Sequence, residues 1–171
     1  MNVLVCQGDV LDSVADVLIC TANPTLGMTG GVNGALFTRG GEGVQAELRD
    51  YLASRRITYV EAGTVVRTGP GPLAVKHILH AVGVNMFYES SAGLISRLLT
   101  TALKEAAALG ARTVATPAIA TGYGPLTMAE FARALGEAVR SAPTEIEELR
   151  VVLRKLEDVD EIQQVLRASL S

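Results

Sequence analysis

The chain has 171 residues, 49% of them hydrophobic and only 4% aromatic, with no Trp and a formal net charge of -3. That length fits a single domain, residues 1–171, whose core must be built mostly from Val, Leu, Ile and Ala. The acidic balance argues against a general nucleic-acid backbone binder, two cysteines are too few for a disulfide framework, and no apolar run reaches the roughly 18 residues of a membrane span.

Along the chain, strand and helix patterns alternate. Val3 to Gln7 reads as a first strand, stopped by Gly8-Asp9. Ala15 to Ala22 is a second, nearly all apolar, as a strand covered on both faces should be. Cys6 and Cys20 fall inside these strands without metal-ligand spacing and read as small apolar side chains. A glycine-rich stretch follows, and no charged residue occurs from Val17 to Thr38. Gly43 to Arg56 has helical spacing, with Val44, Leu48 and Leu52 on one face. Gly63 to Gly69 is a short strand and Val75 to Gly83 another; His77 and His80 lie on its opposite faces and read as hydrogen-bonded sheet residues, not as a catalytic pair.

Leu94 to Leu109 is the clearest helix, with Leu94, Ile95, Leu98, Leu99, Ala102, Leu103 and Ala106 as its apolar stripe and Gly110 as its stop. Arg112 to Ile119 reads as a buried strand, and Ala120 to Leu126 as a second neutral glycine loop. Thr127 to Ala142 is a helix opened by a capping box of Thr127 and Glu130. Glu148 to Arg154 is a last strand, and Asp158 to Leu170 a last helix, N-capped by Asp158 or Asp160. About six strands and at least four helices, without linker or repeat, predict an α/β fold: a three-layer α/β/α sandwich. Some connections are too short for helical crossovers, so the sheet is expected to be mixed and about six-stranded.

Two loops share one chemistry. Cys20 to Thr38 and Ala118 to Thr127 each leave a strand and lead toward a helix, and neither contains Lys or Arg. In open α/β sheets, ligands bind outside the carboxyl ends of the strands. Glycine-rich backbone there presents several N–H groups, and such nests hold phosphates without side-chain cations. Glycine also lets the ligand approach closely. Two such loops suggest a diphosphate clamped from both sides. Other phosphate motifs fit worse: the chain has no Gly-Lys pair and so no Walker A signature. Gly69 to Ala74 imitates G-x-G-x-x-A, but it carries two prolines and leads into a strand, so it reads as a turn.

Four stretches, in order and on matching strand ends, resemble the motifs of the macrodomain family, an ADP-ribose-binding α/β/α module. They are Gln7 to Val10, Cys20 to Gly41, His77 to Gly83 and Thr116 to Gly124, and the resemblance covers most of the chain. It implies that Asp9, with Val10 beside it, accepts a hydrogen bond from the adenine exocyclic amine, as an ionised carboxylate can. Taken alone, Asp9 reads as a turn residue after Gly8. Asn23, after Ala22, matches the amide that contacts the distal ribose. Gly30, Gly31 and Val32 match the first phosphate-side loop, with Asn33 where the family carries its loop aspartate. Ala120, Thr121, Gly122, Tyr123 and Gly124 match the second, with Tyr123 packing on the distal part of the ligand. The departures are Cys20 for the family's first asparagine, Asn33 for the aspartate, Ala120 for a serine, Phe37 for a frequent histidine, and one residue fewer between Gly122 and Tyr123.

The implied ligand is ADP-ribose or a close derivative (free, protein-linked or O-acetylated). ADP-ribosylated proteins are the implied partners, and neither cofactor nor metal is expected. The alternative is a weak ADP-ribosyl hydrolase or O-acetyl-ADP-ribose deacetylase in which Asn23 and Asn33 are the catalytic residues and position water. A carboxylate can take a proton from water, whereas an amide has no useful basicity, so Asn33 moves the reading toward a binder. A third reading, an adenine-nucleotide or RNA-end scaffold, is disfavoured by the acidic balance. The N-terminus lacks the basic segment of a signal peptide, so the expected setting is cytoplasmic, without membrane or nucleic-acid partners.

Overall fold

Strands form where the sequence carries near-continuous apolar, β-branched runs. In the computed structural model, which describes residues 1–170, these are β1 (Asn2–Gln7), β2 (Val17–Ala22), β3 (Val65–Thr68), β4 (His77–Val82), β5 (Thr113–Thr116) and β6 (Glu148–Leu153). They build a six-stranded sheet in the order β1-β6-β5-β2-β4-β3. All neighbours run parallel except β3, which pairs antiparallel with β4, so the sheet is mixed.

Parallel pairs need long crossovers. Helices α1 (Gly31–Thr38), α2 (Glu42–Arg55), α3 (Ala92–Ala108) and α4 (Met128–Arg140) lie between strands and supply them; α5 (Leu156–Leu170) follows β6, and the five together cover both faces. Along β2, Val17 and Ile19 face the layer formed by α3, α4 and α5, while Leu18, Cys20 and Ala22 face α1 and α2. Two apolar cores therefore sandwich the sheet, which is the expected three-layer arrangement. Among the described residues, no helix is long and apolar enough to cross a membrane.

The expected Thr127–Glu130 capping box is present: Thr127 Oγ1 accepts from the Glu130 amide at 3.2 Å, and Glu130 accepts from the Thr127 amide at 2.8 Å. Residues 69–76 form a turn, with Gly71 at φ 53° and Leu73 N donating to Pro70 O. His80, fully buried on β4, donates from Nε2 to Thr68 Oγ1 at 3.0 Å, because the Thr68 hydroxyl itself donates to Gly69 O. Its Nδ1 is left buried without a partner.

Three readings of the sequence are corrected. The second half of the first glycine stretch is a helix, α1, rather than loop. Gly31 and Gly34 weaken its intrinsic propensity, and burial of Leu36 at 0% exposure offsets them. The last helix begins at Leu156, so neither Asp158 nor Asp160 is its cap; Asp158 lies in the first turn, where its charge complements the helix dipole. Cys6 is exposed on the edge strand β1, and only Cys20 is a buried strand residue. A short 3-10 turn, Val10–Asp12, follows β1 and is capped by Asp9.

Candidate functional site

The carboxyl ends of β2, β4 and β5 open into one cavity of about 500 Å³. Its walls are three chain segments. After β2 come Asn23, Thr29, Gly30 and the first turn of α1 (Gly31, Val32, Asn33); after β4 come Gly83, Val84 and Tyr88; after β5 come Ala118, Ile119, Ala120, Gly122, Tyr123 and Gly124. Thr21 and Ala22, at the end of β2, complete the lining, in which there is no ionisable acid or base other than the two tyrosines.

Backbone donors replace charge here. The first-turn amides of α1, at Gly31, Val32 and Asn33, make no hydrogen bond among the described residues, and no side chain caps the helix. Such orphan N–H groups, with the helix dipole behind them, form an anion site. Across the cavity the amides of Gly122, Tyr123 and Gly124 are equally unpaired. This second wall is loop amide only, because Thr127 and Glu130 already close the N-terminus of α4.

The backbone is bent to present these groups. Gly30 and Gly31 have φ of 71° and 56°, and two non-glycine residues of the lining, Tyr88 (59°) and Ala120 (62°), also sit in the left-handed region. Strained residues of this kind persist where the surroundings hold them, often at ligand sites. The loops touch across the mouth: a methyl built on Gly30 would lie 2.8 Å from Tyr123 Oη, and Tyr123 itself is 73% exposed.

The two asparagines are held differently. Asn23 Nδ2 donates to Gly27 O at 3.0 Å, and its Oδ1 accepts from Thr25 Oγ1 and from the Gly27 amide. Its amide thus shapes the 23–27 turn. Asn33 accepts the Cys20 thiol at 3.1 Å through Oδ1. Burial pushes the Cys20 thiol up to about 12, so it stays protonated and acts as a donor, not a nucleophile.

Of the residues singled out in the sequence, Ala22, Asn23, Gly30, Gly31, Val32, Asn33, Ala120, Gly122, Tyr123 and Gly124 line the cavity. Asp9, Val10 and Thr121 do not. Thr121 turns its hydroxyl to Ala118 O at 3.0 Å. Val10 is buried, and Asp9 stands just after β1, where it pairs with Arg39 at 2.7 Å and Arg154 at 3.1 Å and caps the Leu11 amide at 3.0 Å. Yet α1 joins the two places. Its N-terminus is at the cavity and Arg39, its C-cap, is at Asp9, a span of about 12 Å for eight residues. Sequence reasoning missed Thr21, Thr29, Gly83, Val84, Tyr88, Ala118 and Ile119. The strand-end rule points to Gly83, Val84, Ala118 and Ile119 once β4 and β5 are known to run parallel to β2.

A neutral, amide-walled cavity at the parallel strand ends of a three-layer α/β/α sandwich offers the kind of donors that phosphate oxygens accept. The sequence model of the Macro domain family matches residues 19–135, and the chain belongs to that family. A macro domain-containing protein of Streptomyces nogalater is 40% identical over 148 residues, covering 86% of this chain and 82% of the relative. One from Streptomyces coelicolor is 38% identical over 148 residues, covering 86% and 88%. Among solved structures, a mutant Oceanobacillus iheyensis macrodomain with ADP-ribose superposes with a TM-score of 0.86 at 19% identity, over 97% of this chain and 92% of the other. The Trypanosoma brucei macrodomain in complex with ADP gives 0.81 at 20% identity, over 96% and 68%.

Proposed function

We propose that this chain binds ADP-ribose or a close derivative, free, protein-linked or O-acetylated. The observation that carries the reading is the pair of facing walls of unpaired backbone amides, Gly31 to Asn33 and Gly122 to Gly124, around a cavity without charged side chains. Two opposed sets of N–H donors suit a diphosphate, whose oxygens point to both sides. The adenine would extend along α1 toward Asp9, where the carboxylate accepts the exocyclic amine beside Arg39 and Arg154. The ribose end would lie under Tyr88 and Tyr123. The solved macrodomains with ADP-ribose and with ADP share this fold and support the ligand class.

The lining favours retention over turnover. Asn23 is spent on its own turn, Asn33 is an amide, and no carboxylate or imidazole lines the cavity to take a proton from water. Hydrolysis in this site would have to draw on the ligand's own phosphate.

Calorimetric titration with ADP-ribose, AMP and NAD, run side by side, tests the ligand. The expected result is ADP-ribose binding at least about tenfold tighter than AMP, since AMP lacks the diphosphate and the second ribose. Equal, weak binding of all three would overturn the reading.

A further inference from the structure

We infer that Cys20 is a positioning residue that fixes which end of the Asn33 amide enters the cavity, and so makes this point of the site a hydrogen-bond donor toward the ligand. The inference rests on the reading that the cavity holds ADP-ribose. Asn33 is only 6% exposed, yet it lines the cavity at the third residue of α1. Its Oδ1 is turned inward onto the Cys20 thiol at 3.1 Å. Its Nδ2 makes no hydrogen bond among the described residues, nor is it one of the buried unpaired atoms, so it opens onto the cavity.

The thiol can hold this arrangement because Cys20 is completely buried in β2, sheltered from water and oxidants and kept in its S–H form. It has a single proton, and in giving it to Oδ1 it disfavours the flipped amide, whose N–H groups would face the thiol and leave Oδ1 toward the ligand.

Polarity at this point sets what the ligand can carry. A cavity-facing Nδ2 welcomes an oxygen with no proton of its own, such as a carbonyl, ester or phosphate oxygen, as readily as the lone pair of a free hydroxyl. A carboxylate at the same place would demand a proton from the ligand. The ligand class that fits this cavity therefore includes ADP-ribose bearing an acyl or other acceptor oxygen near Asn33.

Two measurements test this. In the ligand-free protein, the Asn33 side-chain NH2 should exchange protons with water at the rate of an accessible amide, because it opens on the cavity. An NH2 sealed against Cys20 and protected from exchange would overturn the inference whether or not any ligand binds. In the second, Cys20→Ala should weaken ADP-ribose binding about five- to tenfold by releasing the amide, while Cys20→Ser, whose hydroxyl can donate to Oδ1, should stay within about twofold of the parent. Addition of ADP-ribose should also shift the Asn33 NH2 resonances in the parent and the serine variant. Equal affinity in all three proteins with unshifted NH2 resonances would overturn the inference while leaving ADP-ribose binding intact. Failure of the parent to bind ADP-ribose would instead strike the functional reading, with the exchange measurement still deciding the amide's orientation.

Discussion

Replacing Gly124 with alanine should weaken ADP-ribose binding by about 100-fold, equivalent to about 2.7 kcal/mol, whereas Gly122→Ala should leave it within about twofold. The two glycines stand two residues apart in one loop, but their surroundings differ. A methyl on Gly124 would meet Ala120 backbone atoms at 2.5 Å (O), 2.7 Å (Cα) and 2.8 Å (C). Those atoms cannot step aside cheaply. Ala120 already holds a left-handed φ of 62°, and its carbonyl accepts the Leu126 amide at 3.0 Å. The loop must therefore open, which carries the amides of Gly122 to Gly124 away from the phosphate positions. A methyl on Gly122 meets nothing within 4 Å. Calorimetry on the two variants, with thermal melts to show that both fold, checks the contrast. Similar affinities for the two would mean that the second wall is not a phosphate cradle.

That contrast marks what sequence alone could supply. Both loops were legible as neutral, glycine-rich segments at strand ends, and the sandwich followed from the alternation of apolar runs with helical stripes such as Leu94 to Ala106. The division of labour among the glycines was not legible. Only folded contacts distinguish Gly124, pressed on Ala120, from Gly122, which faces open space. Helix α1 was hidden for a related reason: its two glycines read as loop, and the burial of Leu36 that stabilises it arises only when α1 packs on β2 and α2 in the folded protein. Asp9 shows the reverse. It was legible both as a turn residue and, by resemblance, as an adenine acceptor; in the structure it caps the Val10–Asp12 turn while pairing with Arg39 and Arg154. Arg154 lies 145 residues away in sequence, and no local pattern could have paired them.

The second large effect concerns pH. His80 is buried with only its Nε2 satisfied, and burial lowers its pKa from 6.5 to about 4. The folded state therefore holds the imidazole neutral in a range where the unfolded chain binds a proton. Its contribution is fully present above pH 6.5 and is lost as the pH falls toward 4, about 1.4 kcal/mol per pH unit and about 3 kcal/mol in all. Asp16 acts in a separate window. The Lys76 ammonium, and after it the Arg112 and Thr113 amides, hold its carboxylate well below the ordinary 3.8, so the stability it adds is lost only as the pH drops below that value. Denaturant unfolding at several pH values should show a steep loss between pH 6.5 and 4 in the parent that is largely absent in His80→Leu. Parallel curves for the two proteins would mean that His80 is protonated in the folded state.

The central claim is that the two neutral loops hold the diphosphate of ADP-ribose through their backbone amides. An amide-resolved NMR titration with ADP-ribose tests it most directly. The largest shifts are expected at Gly31, Val32, Asn33, Gly122, Tyr123 and Gly124, with a second group at Asp9 to Leu11 from the adenine. Saturating ligand that leaves those six amides unmoved, or that shifts only residues on the outer faces of α2 and α5, would contradict it.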